Sequence, residues 1–285
     1  MPHKINLTDR SGWSLDHRDP QVIQSLMPIW DWFYHIYFRV RTSGWHHVPP
    51  PGRVMFVGSH NGGLAAPDMF MMMYDWFRRF GLDRPIYGLM HPKVWQIAPP
   101  LADLAVQAGA VKAHPKMAIA ALRRDAGILV YPGGARDVFR PYGMRHQICL
   151  AGNRTFIRIA LEYEVTIVPV IASGAHETFL VLADLYQQMR QLHAWGMPWM
   201  LNIDPEVFPV YLGLPWGLAF GPLPHFPLPM QIHTHICPPI TFQQYGRAAA
   251  CDRAYVDACY NLVCTQMQQE MDALAQGQIK PELMD

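Results

Sequence analysis

Beyond residue 50 the apolar positions fall into two alternating rhythms. Short, nearly unbroken apolar runs of strand length occur at residues 54–58, 85–90, 127–131 and 166–171. Between and after them lie longer stretches with helical spacing, at 66–80, 93–107, 116–125, 154–163 and 177–192. Residues 230–237 alternate in strand fashion, and 252–273 close the chain as an amphipathic helix. Strand and helix in turn predict an α/β fold, a mostly parallel central sheet flanked by helices.

Two segments break the rhythm. Residues 21–40 read as a helix, with Pro28 either kinking it or opening its main part. Asp31, His35 and Arg39 recur every four residues and make one narrow polar stripe, while Trp30, Trp32, Phe33, Tyr34, Ile36, Tyr37 and Phe38 cover the rest. Such a helix either packs between protein layers or lies on a bilayer as an amphipathic, membrane-facing segment with its aromatics at headgroup depth. Pro49-Pro50-Pro51-Gly52 ends it, dividing an N-terminal region, 1–47, from a catalytic-type domain, 48–285. Residues 209–229 are apolar but crowded with Pro and Gly, so they predict an irregular loop that is packed or touches something apolar. The longest uncharged apolar stretch, 207–224, has the length of a bilayer span, yet Pro209, Pro215 and Pro222 break it.

Composition and charge sharpen this picture. The 285 residues are 51% hydrophobic and only 16% charged, against about 25% charged in ordinary soluble proteins. That shortfall points to well-buried layers or to contact with lipid. A net charge of +1, with no basic run, excludes nucleic acid as a partner. The five cysteines follow no C-x-x-C spacing and fit reduced, buried thiols. Residues 1–20 are polar and mixed in charge, unlike a signal peptide.

Chemistry concentrates at two strand ends. His60-Asn61-Gly62-Gly63-Leu64-Ala65-Ala66-Pro67-Asp68 joins the first strand to the next helix. A His with an acid at a helix entrance suits a general base, because the carboxylate fixes one ring nitrogen and leaves the other to take a proton. Gly62 and Gly63 let backbone come close to a substrate and aim N–H groups at an oxyanion. The second candidate is Tyr131-Pro132-Gly133-Gly134-Ala135-Arg136-Asp137, at the strand end where open α/β sheets hold ligands. Here Arg136 either grips a phosphate or carboxylate or pairs locally with Asp137. His225, His233 and His235 hint at a metal, with no acid or thiol at a familiar ligand spacing, and read as packed or solvated. Ser173 and His176 follow a strand but lack the G-x-S-x-G elbow. No G-x-G-x-x-G or P-loop sequence occurs.

Taken together, these pieces resemble the glycerophospholipid acyltransferase (PlsC-type) superfamily. The likeness runs from Val57 to Pro239, about two-thirds of the chain. Gly58-Ser59-His60-Asn61-Gly62-Gly63 with Pro67-Asp68 is similar to the first family block, Gly109-Ala110-Val111-Lys112-Ala113 to the second. Tyr131-Pro132-Gly133-Gly134-Ala135-Arg136-Asp137 resembles a P-G-G variant of the third, Ile167-Val168-Pro169-Val170 the fourth, and Ile236-Cys237-Pro238-Pro239-Ile240 a late feature. One departure stands out: the usual acid lies five residues after the His, where this chain has Ala65, and Asp68 lies three further on. Asp75 and Asp103 are the next acids to consider. The P-G-G block resembles the branch nearer diacylglycerol and fatty-ester acyltransferases.

The resemblance implies a membrane-associated O-acyltransferase in lipid metabolism, such as phospholipid biosynthesis, on the cytoplasmic face of a membrane, peripheral or monotopic. It implies His60 as base and Asp68 as its partner, with Gly62, Gly63, Gly133, Gly134 and Arg136 binding substrate. The donor would be an acyl-CoA or acyl carrier protein thioester and the acceptor a lysophospholipid, glycerol phosphate or neutral glyceride, with no metal or other cofactor. Two other readings stay open: a lipid or thioester hydrolase using Ser173 with His176, and a non-catalytic lipid-binding protein on the same fold.

Overall fold

The computed structural model describes residues 10–199, 204–221 and 223–282. Pro222 and the first nine residues of the polar N-terminal stretch lie outside them. The chain opens with α1 (Pro20–Trp32), continued by a wider turn over Phe33–Tyr37, then β1 (Arg41–Ser43), β2 (Val54–Gly58) and α2 (Pro67–Phe80). There follow β3 (Ile86–Met90), α3 (Val94–Ile97), α4 (Pro99–Gln107), β4 (Ala110–Lys112), α5 (Pro115–Arg123), β5 (Gly127–Val130), α6 (Gly134–Val138), α7 (Thr155–Glu162) and β6 (Ile167–Ser173). The last part holds β7 (Leu180–Asp184), α8 (Tyr186–Ala194), β8 (Pro209–Gly213), β9 (Gly217–Phe220), β10 (His233–Ile236), α9 (Arg247–Cys251) and α10 (Arg253–Ala275).

Seven strands form the main sheet in the order β1-β10-β6-β2-β5-β3-β4. The five from β6 to β4 run parallel. β10 is antiparallel to β6 and β1 is parallel to β10, so the edge pair runs opposite to the rest. Central β2 is buried at every residue, which is why it reads as a continuous apolar run. Its Met55 and Val57 face a core with Leu122 of α5, Ile157 of α7 and Val263 and Met267 of α10. Val54 and Phe56 face Ile23 of α1 and Met72, Trp76 and Phe77 of α2.

The segment before residue 48 contributes β1 to this sheet. Pro28 lies inside α1. The polar stripe partly turns inward: Asp31 accepts from Tyr74 of α2 and sits 3.4 Å from His35 Nε2. Arg39 leaves the helix at φ 46° and donates to the Pro229 carbonyl. Ile29, Trp32 and Ile36 are exposed.

Three expectations need correction. The stretch 93–107 is two helices, because Pro99 pushes Ala98 out of the helical region (φ −140°, ψ 65°). The stretch 177–192 is strand β7 followed by α8; Phe179-Leu180-Val181-Leu182 favours a strand, and Asp184 accepts from the Tyr186 amide to open the helix. The loop expected at 209–229 contains the hairpin β8–β9, which joins β7 in a three-stranded antiparallel sheet. Pro209 opens its strand and Pro215 and Gly217 lie at the turn, where no ladder N–H is missed.

Candidate active site

β2 ends at Gly58, and the chain at once builds a tight connection to α2. Gly62 (φ 79°) and Gly63 (φ 62°) take left-handed conformations, Gly63–Ala65 form one 3-10 turn, and Ala66 is left-handed at φ 43°. This turn absorbs the additional residues between His60 and Asp68. It sets Asp68 in the first turn of α2, with its Oδ2 3.3 Å from His60 Nδ1. The carboxylate also accepts from the Asn61 amide (2.7 Å) and the Met69 amide (2.8 Å), so its orientation is fixed three ways. Asp68 is 3% exposed and the His60 side chain 18%, so the imidazole is partly open while its partner is buried.

The glycines serve packing as much as approach. A Cβ on Gly62 would lie 2.5 Å from Pro67 Cδ and 2.8 Å from Thr178 Oγ1; one on Gly63 would lie 2.5 Å from His225 Cε1. His225, stacked on Phe179, donates Nε2–H to the Gly62 carbonyl (3.1 Å). The hairpin region therefore reaches back and holds the turn. On the other side, Tyr131 stacks against the His60 ring, with centroids 4.4 Å apart. Burial, reinforced by the nearby Asp68 and Asp137 carboxylates, pushes the Tyr131 hydroxyl well up.

Beneath the turn lies a buried pair, Asp137 and Arg140, that the sequence did not bring together. Asp137 accepts from the His60 amide, from Ser59 Oγ (3.2 Å) and from Arg140 Nη1 (2.7 Å). Arg140 donates in addition to the His60 carbonyl (2.7 Å) and to Asn61 Oδ1. Both side chains are almost wholly buried. Burial lifts Asp137 to about 7, against the pull of the Arg140 guanidinium and the His60 amide. The local pairing expected between Arg136 and Asp137 is thus replaced by Asp137–Arg140. The available signal was the three-residue spacing of an acid and a base in a stretch with few charges to spare.

Arg136 is exposed on α6 and makes no ion pair or side-chain hydrogen bond among the described residues. A Cβ on Gly133 would meet the Cys149 carbonyl at 2.0 Å, whereas Gly134 (φ 54°) has open space and gives its N–H to the Tyr131 carbonyl (3.2 Å). Of the other acids considered, Asp75 accepts from Arg78 and Arg79, and Asp103 pairs with Arg10. Buried His176 donates Nε2–H to the Arg140 carbonyl (2.9 Å), and burial holds it near 3, so it braces the clamp. Among the described residues Ser173 and His176 share no hydrogen bond. His225, His233 and His235 do not converge: the first reaches Gly62, while the other two meet at Ser43 Oγ.

Beside the turn opens an apolar cleft of about 250 Å³. Ala65 and Pro67 form one end of its wall, and Trp30, Phe33, Phe70 and Leu104 of the surrounding helices form much of the rest.

No protein-family model matches the chain. It is 26% identical over 209 residues to an uncharacterised protein of Mycobacterium tuberculosis, covering 71% of this chain and 57% of that one. It is 23% identical over 228 residues to the 2-acylglycerol O-acyltransferase 1 of Mus musculus, covering 76% and 64%. The chain thus spans little more than half the length of the mycobacterial relatives it matches. Among solved structures it is similar to the 1-acyl-sn-glycerophosphate acyltransferase PlsC of Thermotoga maritima, at 13% identity and a TM-score of 0.49, covering 88% of this chain and 79% of that one. Of the two sequence relatives, the mouse protein is named as an acyltransferase.

Proposed function

We propose that this chain is a PlsC-type O-acyltransferase that moves a fatty acyl group from an acyl thioester to a hydroxyl of a lipid acceptor. The observation that carries the reading is the 3.3 Å approach of His60 Nδ1 to Asp68 across an eight-residue interval, at the end of the central strand. The sequence similarity to an acyltransferase supports the reaction class.

In this reading Asp68 accepts a hydrogen bond from His60 Nδ1–H, which keeps the proton on Nδ1 and the lone pair on Nε2. Nε2 takes the acceptor's hydroxyl proton as that oxygen attacks the thioester carbonyl. A C–O bond forms, the tetrahedral oxyanion collapses, the C–S bond breaks, and the thiolate leaves with the proton from His60. The amides of Gly62 and Gly63 face the oxyanion, at roughly 3–4 kcal/mol for one good donor; Gly134 N–H is already committed to Tyr131. Exposed Arg136 is the anion-binding group for the acceptor's headgroup or the donor's phosphates. The apolar cleft takes an alkyl chain. No helix among the described residues is long and apolar enough to cross a membrane, and we assign contact with the cytoplasmic face of a bilayer to exposed apolar groups on α1 and the hairpin.

The test is incubation of the full chain with labelled acyl-CoA and, separately, acyl carrier protein, against lysophospholipid, glycerol phosphate and diacylglycerol, followed by lipid separation. His60→Ala and Asp68→Asn should each lower transfer by about 10²–10⁴-fold with an unchanged circular dichroism spectrum. Transfer that survives His60→Ala would sink the mechanism. Tight vesicle binding without turnover of any pair would favour a lipid-binding role.

A further inference from the structure

Of the three histidines that hinted at a metal in the sequence, His235 acquires partners from elsewhere in the chain. β10 carries His235, and Cys237 follows directly after the strand; both meet α10, Cys237 in the core beneath it and His235 at Glu270. From that helix Glu270 reaches down beside Met267 and Met271, which are fully buried in the same core. One ligand atom each from His235, Cys237 and Glu270 lie within 4.8 Å of one another. His235 is 5% exposed and Cys237 1%. The acid and thiol that sequence spacing did not supply are therefore supplied by the fold.

We propose that His235, Cys237 and Glu270 form a structural site for one Zn²⁺-class divalent ion, which ties α10 to the edge half of the sheet. An imidazole, a thiolate and a carboxylate are the donor types zinc takes. A tetrahedral centre with bonds of about 2.0–2.3 Å has ligand–ligand edges of roughly 3.3–3.8 Å. His235 Nε2 and Glu270 Oε2 stand 3.3 Å apart, at such an edge. The outer partners fit as well. Ser43 Oγ lies 2.8 Å from His235 Nδ1 and 3.0 Å from His233 Nε2. With His235 donating to Ser43 and Ser43 to His233, Nε2 of His235 is left to bind metal. His47 donates Nδ1–H to the Ile236 carbonyl (2.8 Å), so its own Nε2 is free, and its ring centre lies 6.3 Å from that of His235. The fourth position falls to His47 or to water.

The test uses the full chain, stripped with chelator and dialysed against Zn²⁺ or Co²⁺. One tightly held equivalent is expected, and Co²⁺ should show thiolate charge-transfer absorption. Cys237→Ser should abolish that absorption, and Glu270→Gln, a change at a half-exposed side chain, should weaken affinity by about tenfold or more. Zinc should raise the melting temperature of the parent chain and leave that of Cys237→Ser unchanged. A cobalt spectrum without thiolate absorption overturns the proposal. So does one that persists in Cys237→Ser, or zinc affinity indifferent to Glu270→Gln, which would leave Ser43, His235 and Glu270 as a hydrogen-bonded relay.

Discussion

A methyl group on residue 58 would sit 2.2 Å from Tyr131 Cε1. The absence of a side chain there lets the Tyr131 ring lie across the strand and stack on His60. Gly58→Ala should therefore cost about 1–3 kcal/mol by overpacking and lower kcat more than it raises KM, because the imidazole loses its supporting face. The strain needs the tyrosine ring, so Gly58→Ala should add little to Tyr131→Ala in a double-mutant cycle of denaturant midpoints. Additive effects would show that the crowding lies elsewhere. His60 and Asp68 were legible in sequence because a His, a glycine pair and an acid at a helix entrance form a local pattern. The roles of Asp137, Arg140, His176 and His225 were not. Each acts through backbone groups of the His60 turn or of its clamp, and such contacts leave no mark on spacing.

At the scale of elements, β2 could be read because it is buried at every residue, and α2 and α10 because each is long enough to repeat a buried face over several turns. β1 and β4, three residues each, carry too few positions for any period. β7, β8 and β9 misled for another reason: they bury one face on Phe139, Phe179 and Tyr211 while the other stays apolar and exposed, so no polar alternation marks them as strands. The 3-10 turn His176–Thr178, between β6 and β7, has a consequence for acid stability. Burial first, and then the Arg140 charge, lowers His176 from an ordinary 6.5 to about 3. Between those values the unfolded chain binds a proton that the folded chain refuses. The neutral imidazole's stability is thus whole above about 6.5 and is lost as pH falls toward 3, by about 1.4 kcal/mol per pH unit. Asp137, lifted from 3.8 to about 7, works in the opposite sense, so the measurement should be a difference. Urea midpoints of the parent chain and of His176→Gln, followed from pH 7 to 4, should diverge with the parent losing more. Parallel curves would mean that His176 takes up its proton without unfolding.

Across the whole molecule, the outward side chains of the small sheet and of α1 form one apolar surface. On the hairpin, Leu212, Trp216, Leu218 and Phe220 are exposed, Trp216 at 53% and Leu218 at 57%. Phe226, bridged to Leu214, carries this surface to the wider turn that continues α1, where its ring lies 5.6 Å from Tyr37 and 6.5 Å from Phe33. Phe33 also lines the apolar cleft, so a lipid held against the hairpin would be close to a path toward His60. Soluble monomers seldom leave so continuous an apolar face open. In the proposed reading it is the face that meets the bilayer, and each large side chain inserted contributes about 1.5–3 kcal/mol. Trp216→Glu and Leu218→Lys should each weaken sedimentation with phosphatidylcholine–phosphatidylglycerol vesicles by about tenfold or more. Turnover of a short-chain thioester with a water-soluble acceptor should not change, because neither residue touches His60, Asp68 or the Asp137–Arg140 clamp. If vesicle partitioning is unaltered in both variants, the hairpin is not the contact with lipid. If soluble turnover falls in step with partitioning, the hairpin acts instead through His225 on the Gly62 turn, and the double variant with His225→Ala should then be no worse than His225→Ala alone.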